Sequence, residues 1–391
     1  MDVPRQVGQR IASHRRARRF TQAGLARAAY VSLATIRAIE RGARSPSDDT
    51  LDSIAAALGT DPSRLITDTT RTSDRIRAAL PAVSAAIAAY DVPDGLPTRP
   101  LPQLAAAIAD AEAWRLGAQY SRLAQHAPAL LQDALRTVHT AKGPDRNAAL
   151  GLLASTARSA GAVAYKSGAH DLSARLGELM RWASTQAEDP LLGAVAAYVR
   201  TETFFAARTH DAGLRALVAA IDAAPPPTAT EHRAALAALH MRAAVVAGRC
   251  GDADGAAGHL SDARVLAEHV PEGIYQGTAV GPDSVRIHEV SVAVGLGGDH
   301  VSRAVDVAEE WKPPTDLPSE RRSGFYIELA RAQVWAGKRG DAFESLQVAR
   351  RTAPQHTRQH PWAREDAATL RRLARGDAPT LTAFAEWIGV A

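Results

Sequence analysis

Between positions 22 and 44 the chain sets Gln22, Ser32, Thr35, Arg37, Arg41 and Arg44 a few residues apart, with Leu33 and Ala34 among them. Amide, hydroxyl and guanidinium groups meet phosphate oxygens and base edges, and small apolar groups pack on thymine methyls. The chemistry this suggests is recognition of double-stranded DNA. Catalytic groupings are thin by comparison. The thirteen histidines are scattered, without HExxH or Cys/His ligand spacing. Glu309-Glu310 and Asp48-Asp49 read as ordinary solvated helix positions, and Gly248, Gly251, Gly255 and Gly258 follow no strand, as a phosphate loop would require. No enzyme activity, metal site or cofactor is expected.

DNA-reading side chains need two short helices joined by a tight turn to hold them. Leu25, Ala26, Ala29, Val31, Ile36 and Ile39 recur at helical spacing in two runs, separated by a turn at Tyr30–Ser32, which reads as a helix-turn-helix. Thr21 and Ser32 are hydroxyl N-caps, and Gln22 falls at the positive end of the first helix, where donors can meet a phosphate. The second helix then presents Leu33, Ala34, Thr35, Arg37 and Ala38 to the major groove. Tyr30 stands where such turns normally take glycine, so the turn either distorts or carries about 1–2 kcal/mol of left-handed strain. Around this unit, Val7–Arg18 reads as a preceding helix. Ser47 caps a later one over Leu51, Ile54, Ala55 and Leu58 that ends at Gly59, and Asp61-Pro62 opens a short last helix closed by Leu65.

Arg15, Thr21-Gln22, Leu25-Ala26, Val31-Ser32, Ile36, Glu40, Arg41-Gly42, Pro46, Leu51, Ile54-Ala55 and Leu58-Gly59 together resemble the lambda-repressor-like, XRE-class DNA-binding domain over roughly residues 5–67. The resemblance implies five helices, of which the third reads DNA. It also implies a buried ion pair between Arg15 and Glu40; a surface pair worth little is the alternative.

Charge supports the division. Residues 1–67 hold eleven arginines, no lysine and six acidic residues, a surplus of five positive charges in a chain whose total is +4. A basic domain on a neutral body suits a polyanionic partner. Arg18 and Arg19 fit either phosphate contact or compensation of the first helix's dipole. With 46% hydrophobic and 23% charged residues, the chain is long enough for two or three globular domains. A single cysteine, Cys250, excludes an internal disulfide framework. Neither a signal peptide nor a membrane span is read, so a cytoplasmic protein is expected.

Residues 68–102 read as a joint. Ile76, Leu80, Val83, Ile87 and Tyr90 mark a helix that Pro81 interrupts, and Asp91–Pro102 is a proline-rich linker. From residue 103 to 391 the chain reads as helical throughout. His170-Asp171, His210-Asp211, Gly251-Asp252, Gly298-Asp299 and Gly340-Asp341 recur every 40–47 residues, with Gly376-Asp377 as a sixth candidate. Each aspartate is expected to cap the second helix of a pair in a stacked solenoid. Glu328–Pro354 resembles a tetratricopeptide repeat through Ala332, Gly337, Ala342, Leu346, Ala349 and Pro354. With Val280–Asp299, a variant of FGPxNVxxHxVxVAVELGD having Val280 and Ser284 for Phe and Asn, and with His360-Pro361-Trp362-Ala363-Arg364-Glu365, the whole chain resembles actinobacterial XRE-class regulators with a TPR-like C-terminal region.

The expected fold is all-α, with a five-helix DNA-binding domain followed by a TPR-like helical-hairpin solenoid. First helices of such pairs line the concave face, which nominates Tyr198, Glu202, Phe205, His240, Arg286, His288, Tyr326 and Arg331 for an effector pocket. Trp114, Trp182, Phe204 and Trp335 read as core. The single asparagine, Asn147, removes the asparagine clamp used on peptide backbones and favours a small-molecule or protein effector. The expected function is sequence-specific transcriptional regulation by a homodimer on a palindromic operator. The alternative is a TPR-like interaction scaffold with a weak or vestigial DNA-binding domain.

Overall fold

The computed structural model describes residues 3–60, 62–65, 69–374 and 379–390. The chain is all-α, with an N-terminal helix-turn-helix domain and a long helical region after it. Among the described residues no helix is long and apolar enough to cross a membrane.

The N-terminal domain comprises α1 (Val3–Ala17), α2 (Gln22–Ala28), α3 (Leu33–Glu40), α4 (Asp48–Ala57) and α5 (Pro62–Leu65). Asp61, expected to cap α5, lies outside the described residues. Val7, Ile11, Leu25, Ala26, Ile36, Ile39, Leu51, Ile54, Leu58 and Leu65 close one small core. The tightest approach in it is made by Gly8 on α1: a Cβ there would stand 2.0 Å from the Ile39 carbonyl oxygen. α1 therefore lies directly on the backbone of α3.

α6 (Thr69–Ala88) runs unbroken through Pro81, so proline does not interrupt it. Pro81 removes one backbone donor. The continuous apolar face of Ile76, Val83, Ala86 and Ile87, buried against the following helices, holds the helix together across that gap. The loop after it is pinned where Asp133 accepts hydrogen bonds from the Thr98 amide (3.1 Å), the Thr98 hydroxyl (2.6 Å) and Arg99 (2.8 Å).

Helical hairpins follow in chain order: α7 (Leu101–Leu116) with α8 (Tyr120–Thr140), α9 (Gly143–Lys166) with α10 (His170–Ala187), and α11 (Pro190–Ala207) with α12 (His210–Asp222). Next come α13 (Thr230–Cys250) with α14 (Ala253–Ala267), α15 (Pro282–Leu296) with α16 (Val301–Glu310), and α17 (Ser319–Trp335) with α18 (Arg339–Thr352). α19 (Pro354–Gln359), α20 (Pro361–Leu373) and α21 (Pro379–Ile388) close the chain. The first helices of successive hairpins touch one another from α7 through α17, and α17 in turn touches α7. The stack thus curls until its ends meet.

The aspartates at the hairpin turns correct the capping expectation. Only Asp252 caps as expected, accepting from the Gly255 amide at 2.8 Å. Asp171, Asp211 and Asp341 lie inside the first turns of α10, α12 and α18, where their charge meets the helix dipole. Asp299 sits in a 3-10 turn ahead of α16. Gly376-Asp377 lies outside the described residues.

The region is also not helical throughout. β1 (Gly273–Tyr275) and β2 (Thr278–Val280) pair antiparallel, with Ile274 opposite Ala279. Gln276 and Gly277, at φ 47° and 73°, form the two-residue turn that such a hairpin needs. Arg115 donates to the Gly277 carbonyl at 2.6 Å, and Arg158 donates to the Gln276 carbonyl and, at 2.7 Å, to the Thr278 hydroxyl. The strand tip is thereby fastened to α7 and α9.

Replacing Gly8 by alanine forces α1 off α3. We expect the N-terminal domain to lose about 2 kcal/mol or more, despite alanine's better helix propensity, as an earlier unfolding transition in thermal circular dichroism.

Candidate nucleic-acid interface and charged interior

α3 begins where the sequence places it. The Ser32 hydroxyl accepts the Thr35 amide at 3.0 Å, and the Thr21 hydroxyl caps α2 through the Gly24 amide at 2.9 Å. The turn between them is regular rather than distorted. Tyr30 adopts φ 54°, and bonds from its amide to the Arg27 carbonyl and from the Val31 amide to the Ala26 carbonyl close the end of α2. The left-handed strain is therefore carried, and the Tyr30 ring is 97% exposed.

Along α3, Ala34 and Arg37 are exposed, and Arg41 and Arg44 follow on the same exposed stretch. Leu33 differs from expectation. It packs partly against the domain core, because it lies three residues before buried Ile36 on one helical face. The Thr35 hydroxyl is shared with Ser32 at 2.8 Å, which ties it into the cap. Gln22 is likewise engaged, donating to Glu40 at 2.7 Å, so its side-chain amide is held inside the domain.

Glu40 is the keystone of this surface. Arg15 grips it with two bonds, Nε to Oε1 at 2.6 Å and Nη2 to Oε2 at 3.0 Å, with both side chains largely buried. Burial alone raises the Glu40 carboxyl, but the hydrogen bonds from Arg15 and Gln22 outweigh it and hold the group below its ordinary value. The pair orients the end of α3 against α1. Arg18, meanwhile, reaches the Gly59 carbonyl at 3.3 Å.

The second grouping lies where the curled stack closes. Tyr198 and Glu202 on α11 and Glu328 on α17 face the positive charges of Arg242 and Arg249 on α13, Arg321 on α17 and Lys166 on α9. Each keeps part of its surface open to solvent, except Tyr198, which is buried. Lys166 meets Glu320 at 3.3 Å, Tyr120 donates to Glu320 at 2.8 Å, and the Ser121 amide donates to Gln355 at 2.9 Å, so polar bonds join the first hairpin to the last ones.

Several of these groups are strongly perturbed. Burial raises the Glu202 carboxyl, partly offset by Arg242 and Lys166. Burial also raises Glu328, which accepts a hydrogen bond from Ser291. Tyr198 goes the other way. Burial opposes its ionisation, yet Arg242, Arg321 and Arg158 bring it down to about 7. Arg321 donates to its oxygen at 2.7 Å, and the Arg242 guanidinium lies 4.2 Å from its ring centre. The Nε atoms of Arg115, Arg242 and Arg249 are buried without a hydrogen-bond partner.

Of the nominated effector residues, Tyr198, Glu202 and His288 come together here, with Phe205 beside Arg242 and Arg249 at 5.9 and 6.0 Å. His288 is buried and pushed down to about 3 by that burial and by Arg321, so it is a neutral ring bonded to the Ser284 carbonyl at 2.7 Å. Arg331 sits at the edge, paired with Asp366 at 3.0 Å and Glu365 at 2.6 Å. Three candidates lie elsewhere. His240 faces α14 because two residues along a helix turn it roughly 200° from Arg242. Arg286 is exposed, 5.7 Å from the Trp311 ring, and Tyr326 stacks edge-on against Phe325 in the core. Sequence reasoning missed Lys166, Arg242, Arg249, Glu320 and Arg321. They stand on three separate helices, α9, α13 and α17, that only the closed stack brings together, so no local spacing marks them.

The low Tyr198 value is directly measurable. One of the seven tyrosines should titrate near pH 7 by tyrosinate absorbance, and Tyr198→Phe should remove that step. Folding lowers this group from 10, so its contribution to stability is complete above pH 10 and is lost as the pH falls through about 7.

Residues 11–65 match a family model described as helix-turn-helix. No curated protein matches the chain. Among solved structures, PlcR of Bacillus thuringiensis, in complex with the peptide PapR7 and DNA, is similar at 14% identity over 68% of this chain and 95% of that one, with a TM-score of 0.30. The apo form of the competence regulator ComR from Streptococcus vestibularis is similar at 10% identity over 93% of this chain and 99% of that one, also at 0.30. At these scores neither likeness fixes the shape or a ligand of this chain. The family match over residues 11–65 and the capped α2–α3 geometry agree on an N-terminal helix-turn-helix.

Proposed function

We propose that this chain is a sequence-specific DNA-binding transcription regulator, acting as a homodimer on a palindromic operator. The observation that carries the reading is α3, whose Ser32-capped start and exposed Ala34 and Arg37 are held against α1 by the Arg15–Glu40 pair. With Thr35 tied to Ser32 and Gln22 to Glu40, Arg37 is the residue best placed for base-edge contact, and Arg41 and Arg44 for phosphates. Two such helices about 34 Å apart would read two half-sites.

The TPR-like helical region is the effector-binding part in this reading, and the charged interior is its pocket. Buried guanidinium nitrogens without partners favour an anion, so the effector is a small molecule bearing a carboxylate or phosphate. An effector acts only by binding one arrangement of the dimer better than another.

Selection from a randomised duplex pool at about 150 mM salt tests the DNA reading. A two-half-site motif should be enriched, and Arg37→Ala should weaken it by about 1–3 kcal/mol with relaxed preference at one position per half-site. No enrichment would instead favour an interaction scaffold with a vestigial DNA-binding domain.

For the effector, a panel of carboxylate- and phosphate-bearing metabolites should contain compounds that raise the melting temperature. Arg242→Met should abolish the shift while leaving the selected duplex bound.

A further inference from the structure

The face of α13 turned away from the charged interior carries a second grouping. His240 on α13 meets His259 and Asp262 on α14, which are three residues apart and so share one face of that helix. The Nδ1 atoms of His240 and His259 lie 3.2 Å apart, and His240 Nδ1 lies 3.5 Å from Asp262 Oδ2. One ligand atom from each residue falls within 4.8 Å of the other two.

These separations match those around a tetrahedral metal ion. Two imidazole nitrogens bound to zinc at their usual bond length are about 3.3 Å apart. Two facing Nδ1 atoms can satisfy each other with only one proton between them. The third donor, at 3.5 Å, is too far for a good hydrogen bond yet well placed for a shared cation. The two-imidazole, one-carboxylate donor set suits a borderline divalent ion such as zinc, rather than magnesium or calcium, which prefer oxygen alone.

We propose that His240, His259 and Asp262 form a divalent transition-metal site, zinc being the natural occupant, that clamps α13 to α14. His240 is buried between the two helices, 9% exposed, so its ring nitrogen is held facing α14. Asp262 is exposed, with 62% of its side-chain surface open. Three protein ligands therefore leave a fourth position facing solvent, open to water or to a donor from another molecule. The site is independent of the proposed effector pocket, since Arg242 points to the opposite side of α13.

The test uses the full chain without an affinity tag, stripped with chelator and titrated with zinc by calorimetry and with cobalt by visible absorbance. We expect one equivalent of zinc bound and cobalt bands of tetrahedral intensity. His259→Gln and Asp262→Asn each replace solvent-accessible ligands and should weaken zinc binding by at least about tenfold with unchanged circular dichroism. Their combination should abolish the cobalt bands. Zinc uptake that is absent in the wild type at micromolar concentrations, or unchanged in the double variant, would overturn the proposal.

Discussion

The curled stack of hairpins depends on Glu320. This carboxylate receives the Tyr120 hydroxyl and the Lys166 ammonium, from helices at the start of the stack, although it stands on α17 near its end. Burial would push Glu320 toward its neutral form, but Lys166, Arg115 and the Tyr120 bond outweigh it and keep it ionised. Charge and hydrogen bonding thus join the two ends, beside the apolar contact of Ala353 with the core of the first hairpins. Such bonds are directional and depend on every partner being present, so they fix one closed geometry rather than a continuum.

The same economy governs the N-terminal domain. A bidentate Arg15–Glu40 pair and a glycine at the α1–α3 crossing fix the pose of α3 more firmly than a core of about a dozen apolar side chains would alone. The polar atoms of Gln22 and Thr35 are drawn into that scaffold. What is left outward on the reading helix is sparse, with Arg37 as its principal donor.

Local signals were the most legible. The hydroxyl caps at Thr21, Ser32 and Ser47 and the buried spacing of α2 and α3 follow from interactions within a few residues, so the sequence alone carries them, whereas at Tyr30 the sequence leaves a distorted and a left-handed turn both open. Pro81 misled because tertiary burial of one helix face outweighed a missing backbone donor. The hairpin at Gly273–Val280 escaped notice because three-residue strands leave almost no periodicity, and its anchors, Arg115 and Arg158, are more than a hundred residues away. Interior residues were half legible. Tyr198 and Glu202 follow from helical spacing, whereas His240 faces α14, since which face looks inward is set by how successive hairpins rotate. Lys166 and Glu320 meet only because the stack curls closed, a property no single repeat encodes.

Trp362 gives the closed interior an optical handle. Its ring is flanked by the guanidinium groups of Arg249 and Arg331, 4.3 and 4.5 Å from its centre. Arg331 is anchored by Asp366 and Glu365, while the buried Nε of Arg249 has no partner. The indole therefore sits between one fixed cation and one whose bonding is unfinished. Movement of Arg249 changes the electric field across the ring, and with it the colour of the light that Trp362 emits.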